Sequence, residues 1–184
     1  FDSAVTYSNG NRRALADTAG TIAAYSTLSI PNGASMKVYF ELSIDTLWDT
    51  NGRLKIGCAK LAQTNTSATT TGYVSYRDDG DMIDEGSTST SWGATFQNTG
   101  TDYVGVAIET DGSNVDVWFA KNDSWQASGD PGAGTSPAAT MTQDDNIVIF
   151  GNFDENGSST SGTLAVEADD WQGTAPTDFV ALNT

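Results

Sequence analysis

YVGVAIETDGSNVDVWFAKNDSWQ, residues 103–126, is the stretch from which the fold is read. Val104, Val106 and Ile108 fall on one face of an extended chain, and Val115, Val117 and Phe119 repeat the pattern beyond a polar turn. That alternation is the signature of two strands with one face in a core. Gly105 and Ala107 occupy the opposite face, small enough for a bulky neighbour such as Trp118 to lie across the sheet. The stretch predicts a hairpin with an acidic turn, followed by a second turn closed by Trp125.

Strands are expected on both sides of this hairpin. Upstream, Met36, Val38, Phe40, Leu42 and Ile44 alternate with Lys37, Tyr39, Glu41, Ser43 and Asp45, and Leu54, Ile56 and Cys58 continue the pattern. Pro31-Asn32-Gly33 and Asn9-Gly10 are turn signals. The adjacent Arg12 and Arg13 read as an outward device on an edge strand. Residues 63–72, poor in apolar side chains, read as a mobile surface loop. Downstream come a long loop with two prolines, the apolar strand NIVIFGNF at 146–153, and short strand-like segments at the end. No long periodic helix and no repeat emerges. Short strands with turn signals every ~8–12 residues predict an all-β, two-sheet antiparallel sandwich.

Composition agrees. The 184 residues hold 25 Thr and 18 Ser against 8 Leu and 5 Glu, which favours strands and turns over helices. A formal charge of -16 with eight basic residues argues against nucleic-acid backbones and anionic membranes. It suits a solvated acidic surface. The lone Cys58 lies in the apolar run LKIGCAK and reads as a buried, inert thiol. No apolar run approaches the ~20 residues of a membrane span. The start at Phe1, without a signal-like segment, suggests one domain, 1–184, of a longer polypeptide.

Residues 103–138, ending in GDPGAGTSPA, resemble the core of a SPRY domain of the kind found in bacteriophage and bacterial surface proteins. YSNGNRRA at 7–14, SMKVYFELSID at 35–45 and APTDFVALNT at 175–184 extend the similarity in order. Asp123 departs from the pattern, standing where the family's Lys-Asn-Gly turn has Gly. The acid-rich stretch at 78–85 also has no counterpart. The resemblance implies a concanavalin-like jelly roll that binds through loops at one end and is not an enzyme. It further implies a module on a virion or extracellular surface appendage, such as a phage tail fibre or capsid decoration. Its expected partners are other appendage subunits and a host glycan or protein, with homo-oligomerisation open; the alternatives are a carbohydrate-binding or carbohydrate-active concanavalin-like protein and an intracellular SPRY adaptor that binds a peptide.

Chemistry narrows the candidates. The chain has no His, so histidine-based triads, dyads and zinc sites are absent. GDPGAGTS lacks the Lys of a phosphate-cradling loop. An enzymatic alternative, a concanavalin-like glycosidase, needs paired carboxylates, for which Glu167 with Asp169 and Glu41 with Asp45 are the available spacings. Solvent-facing strand acids are the simpler reading of both. RDDGDMIDEG at 77–86 offers Asp78, Asp79, Asp81 and Asp84 as oxygen ligands for calcium, with Gly80 at the bend. The spacing is not that of an EF-hand. Sugar or peptide contact requires exposed aromatic faces beside polar groups. Trp48, Tyr73, Tyr76, Trp92 and Trp125 are the aromatic candidates in loops. Tyr76, Arg77 and Trp92 beside the acidic loop, with Trp125 and Asp130 at the GDPGAG loop, form the expected contact set.

Overall fold

The computed structural model describes residues 5–8, 13–16, 20–46, 54–63, 72–96, 101–155 and 160–182. One sheet holds β1 (Val5–Ser8), β2 (Arg13–Ala16), β4 (Ser35–Thr46), β9 (Tyr103–Asp111), β10 (Asn114–Lys121), β11 (Ser124–Trp125), β12 (Ala139–Thr142), β14 (Thr160–Ala165) and β15 (Val180–Ala181). The other holds β3 (Gly20–Ile30), β5 (Leu54–Lys60), β6 (Tyr73–Arg77), β7 (Met82–Asp84), β8 (Ser87–Ser89) and β13 (Ile147–Glu155). Their orders are β1-β2-β14-β4-β9-β10-β11, with β12 on β10 and β15 on β4, and β3-β13-β5-β6-β7-β8. All pairings are antiparallel except the short parallel contact of β15 with β4. The chain is therefore the expected two-sheet β-sandwich. No described helix is long and apolar enough to cross a membrane.

The expected alternation produces the core between the sheets. Val38, Phe40, Leu42 and Ile44 of β4, with Val104, Val106 and Ile108 of β9, face Leu54, Ile56 and Cys58 of β5. Val117 and Phe119 of β10 join them. Cys58 is fully buried, and burial pushes its thiol up to about 12, so it is an inert core side chain. The β9–β10 turn is acidic as read: Asp111 Oδ1 accepts the Ser113 and Asn114 N–H groups, each at 2.7 Å. Pro31-Asn32-Gly33 does form a turn, with Ala34 N–H donating to Pro31 O. That turn carries the chain from one sheet to the other, since β3 and β4 lie in different sheets.

The outer face of the nine-stranded sheet is also covered. A strap, the segment after β14, turns through a short 3-10 helix, Ala168–Asp170, and runs back over β4 and β10 to β15. Beneath it lie Tyr39, Ala107 and Trp118, packed with Phe179, Trp125, Trp171 and Ala175. The small-residue reading of β9 holds with one correction. Trp118 sits opposite Ala107 in register, whereas it is Tyr39 that lies over Gly105, where an added Cβ would come within 2.5 Å of the Tyr39 hydroxyl. Trp48, Arg12 and residues 64–71 lie outside the described residues, as does the side chain of Arg13.

Candidate functional site

The acid-rich loop folds inward on itself. Arg77, at the end of β6, pairs with Asp79 at 2.7 Å and with Asp81 at 3.4 Å. The second oxygen of Asp79 accepts the Asp81 N–H at 3.0 Å, and that of Asp81 accepts the Ser91 N–H at 2.8 Å. Asp78 is fully buried, with the Leu54 N–H on Oδ1 at 3.3 Å. Burial, with the charge of Asp79, raises its carboxyl to about 7, against the opposing pull of the Leu54 N–H. Asp84 also titrates high, through burial and then the charge of Glu85.

These contacts correct the expectations for this loop. The four aspartates are not gathered about one point, and no group of three or more acidic or sulfur ligands suited to a metal occurs among the described residues. Arg77 is the cation that Asp79 and Asp81 hold, which removes it from the expected contact set. Tyr76 is fully buried: its ring packs on Trp92, Phe96 and Phe119 at 5.2–5.6 Å, and its hydroxyl donates to Ala94 O. No ring face is left for a ligand. Tyr73 is likewise buried, in a cluster with Phe150 and Ile83. Trp92 is half-buried and serves as the lid of Tyr76 and Phe119.

Trp125 and Asp130 have a different setting. They line an open groove of about 390 Å³ with Asp123, Pro131, Thr174 and Pro176. Three segments build it: the β10–β11 turn, the GDPGAG loop and the strap. In the turn, Asn122 and Asp123 both adopt positive φ, 47° and 62°. Gly would relax there, but Asp tolerates the left-handed region and gains a use for its side chain. Asp123 Oδ1 accepts the Thr174 N–H of the strap at 2.9 Å, and the Tyr103 hydroxyl is hydrogen-bonded to the same carboxylate. Burial, then that carboxylate's charge, pushes Tyr103 up to about 12. The GDPGAG loop closes through the Asp130–Thr135 backbone pair and the Ala133 N–H on Asp130 Oδ1 at 3.0 Å.

Glu41 fastens the strap. It is fully buried on β4, where alternation alone points it to solvent. Its carboxylate accepts the Gln172 N–H at 2.6 Å, the Gly173 N–H at 3.0 Å and the Tyr39 hydroxyl at 2.8 Å. Gly173 is required at this point, since a Cβ would lie 2.2 Å from Asp123 Oδ1. Trp171 stacks edge-on against Tyr39 at 4.9 Å, and Trp125 approaches the same ring at 6.3 Å. The sequence offers Glu41 only as a partner of Asp45 and residues 175–184 only as a closing strand; its one signal of the anchoring role is Asp123 standing where Gly is expected.

Gln126, next to Trp125, links the groove to the segment after the acid-rich loop: its Oε1 accepts the Ala94 N–H at 2.7 Å. Neither predicted carboxylate pair forms a hydrolytic site. Glu167 precedes the 3-10 turn that contains Asp169, so the two share no strand face. Glu41 is saturated by its donors, and Asp45 accepts from the Thr163 hydroxyl at 3.1 Å.

No protein-family model and no curated protein sequence matches the chain. Among solved structures, the SPRY domain of human HERC1 is similar at a TM-score of 0.66 and 14% identity, over 94% of this chain and 96% of that one. The carbohydrate-binding module CBM66 from Bacillus subtilis matches at 0.41 and 10% identity, over 88% and 87% of the two chains. The exoplasmic/lumenal domain of VIP36, in a Ca²⁺/Man3GlcNAc-bound form, matches at 0.49 and 7% identity, over 97% and 88%. The chain shares the SPRY β-sandwich fold with the first of these.

Proposed function

We propose that the chain is a non-catalytic recognition module whose contact surface is the groove between Trp125, Asp130 and the strap. The observation that carries this reading is the groove's construction. Three separated segments are held around it by the buried Glu41 and by Asp123. Such a pre-formed concave site with an aromatic wall and a few polar groups is how binding domains fix a partner at low entropic cost. Consistent with the resemblance in residues 103–138 and 175–184, the module acts as a single domain of a longer polypeptide. It belongs to a virion or surface appendage, and its partner is a glycan or protein displayed on the target surface.

The reading is tested by titrating the ¹⁵N-labelled protein with a panel of glycans and peptides while following the Trp indole N–H signals. A ligand that shifts the Trp125 signal, and whose binding is lost in Trp125→Ala, supports it. A ligand whose binding survives that change and whose shifts cluster elsewhere overturns it.

A further inference from the structure

The electrostatics of the groove select the chemistry of its ligand. Its lining carries two carboxylates, Asp123 and Asp130, and no Lys or Arg. The donors that Asp123 receives, Thr174 N–H and Tyr103 O–H, are neutral, as is the Ala133 N–H on Asp130 Oδ1. Oδ2 of Asp130 has no protein donor among the described residues. Among the described residues, Lys37 is paired with Glu109, Lys60 with Asp144, Arg77 with Asp79 and Asp81, and Lys121 with Asp102. In a chain of formal charge -16, these two exposed acids share an open groove with the Trp125 ring, Pro131 and Pro176. A groove lined by one sign of charge draws the opposite charge, an attraction that weakens as salt is raised.

We propose that the groove reads a basic side chain of a protein partner, an arginine whose guanidinium lies against the Trp125 indole and donates to Asp130. This rests on the groove being the contact surface, as proposed above. The planar guanidinium fits both features at once, since it stacks on aromatic faces and forks onto carboxylates. Phosphate and acidic peptides meet two like charges here. Neutral sugars find a ring to stack on and leave the charge uncompensated.

The test follows the Trp125 indole signal in the full chain during titration with acetyl-Gly-Arg-Gly-amide. The same peptide with citrulline, the neutral isostere, or with Glu in place of Arg is titrated alongside, as is a neutral oligosaccharide. The arginine peptide is expected to shift Trp125 with an affinity at least about tenfold above the citrulline peptide, and to weaken as salt is raised. Asp130→Asn, which keeps an acceptor for the Ala133 N–H, is expected to erase the difference between the two peptides without lowering Tm. Equal binding of the arginine and citrulline peptides, or shifts of Trp125 by the oligosaccharide alone, overturns the cation proposal and leaves the groove as the contact surface. If ligands bind and every shift maps away from Trp125, both readings fall.

Discussion

The acidic loop at 77–86 and the groove at Trp125 and Asp130 are both rich in carboxylates and aromatic rings, yet they spend them differently. In the loop, Arg77 stands between Asp79 and Asp81, backbone N–H groups take their other oxygens, and Tyr76 sinks into the core under Trp92. In the groove, Asp130 takes one backbone N–H on Oδ1, and no Lys or Arg is among the described residues that line it. Acid density in a sequence therefore says little about a site. What matters is whether the fold supplies the counter-charge. Where it does, the acids are mortar; where it does not, a partner has to supply it.

The largest effect is expected where the groove is anchored. Glu41→Ala leaves two backbone N–H groups and the Tyr39 hydroxyl without their acceptor, at a cost of roughly 3 kcal/mol or more. Denaturant melts should show it, together with a solvent-exposed Trp171 in fluorescence quenching. A fully native Trp171 environment would mean that the strap is held by other contacts. Gly173→Ala comes next, at about 1–3 kcal/mol, because its new methyl collides with Asp123 Oδ1 and lifts the strap locally.

The other region is broken by pH. Asp78 holds its proton to about 7 in the folded chain and releases it near its ordinary value when unfolded. The folded state therefore binds the extra proton, and this group's contribution is present at low pH and lost as pH rises through about 7. The free energy of unfolding is expected to climb as pH falls from 8 toward 5, by on the order of 1–3 kcal/mol, with Tm rising in step, and Asp78→Asn to flatten that climb. A wild-type profile unchanged by Asp78→Asn would place the titration elsewhere. The smallest effect concerns the counter-charge itself. Arg77→Gln costs about 1 kcal/mol, while a calcium chelator leaves Tm where it was, because the guanidinium already neutralises Asp79 and Asp81. A chelator-dependent Tm would reverse that assignment.

Much of the sandwich was legible from alternation alone. The inward faces of β4, β5, β9 and β10 are the ones their period assigns. The period fails where a face meets more protein instead of water. Glu41 and Tyr39 read as outward residues and do point outward, but the strap arriving from more than a hundred residues away buries them. No local pattern encodes that arrival. Tyr76 was misplaced for a related reason: a ring flanking a polar loop looks exposed, although its strand directs it between the sheets. Trp125 and Asp130 are legible from the loop they sit in. Their grouping with Asp123, Thr174 and Pro176 depends on the β10–β11 turn and the strap meeting in space.

One comparison of two indoles tests the central claim most directly. During titration of the full chain with the arginine tripeptide, the Trp125 indole N–H is expected to shift in a saturable way while that of Trp92 stays in place. Trp125→Ala then abolishes binding, and Trp92→Ala leaves the affinity unchanged once Tm shows the variant folded. A saturable shift at Trp92 with Trp125 unmoved would assign the contact surface to the acidic loop and contradict the account.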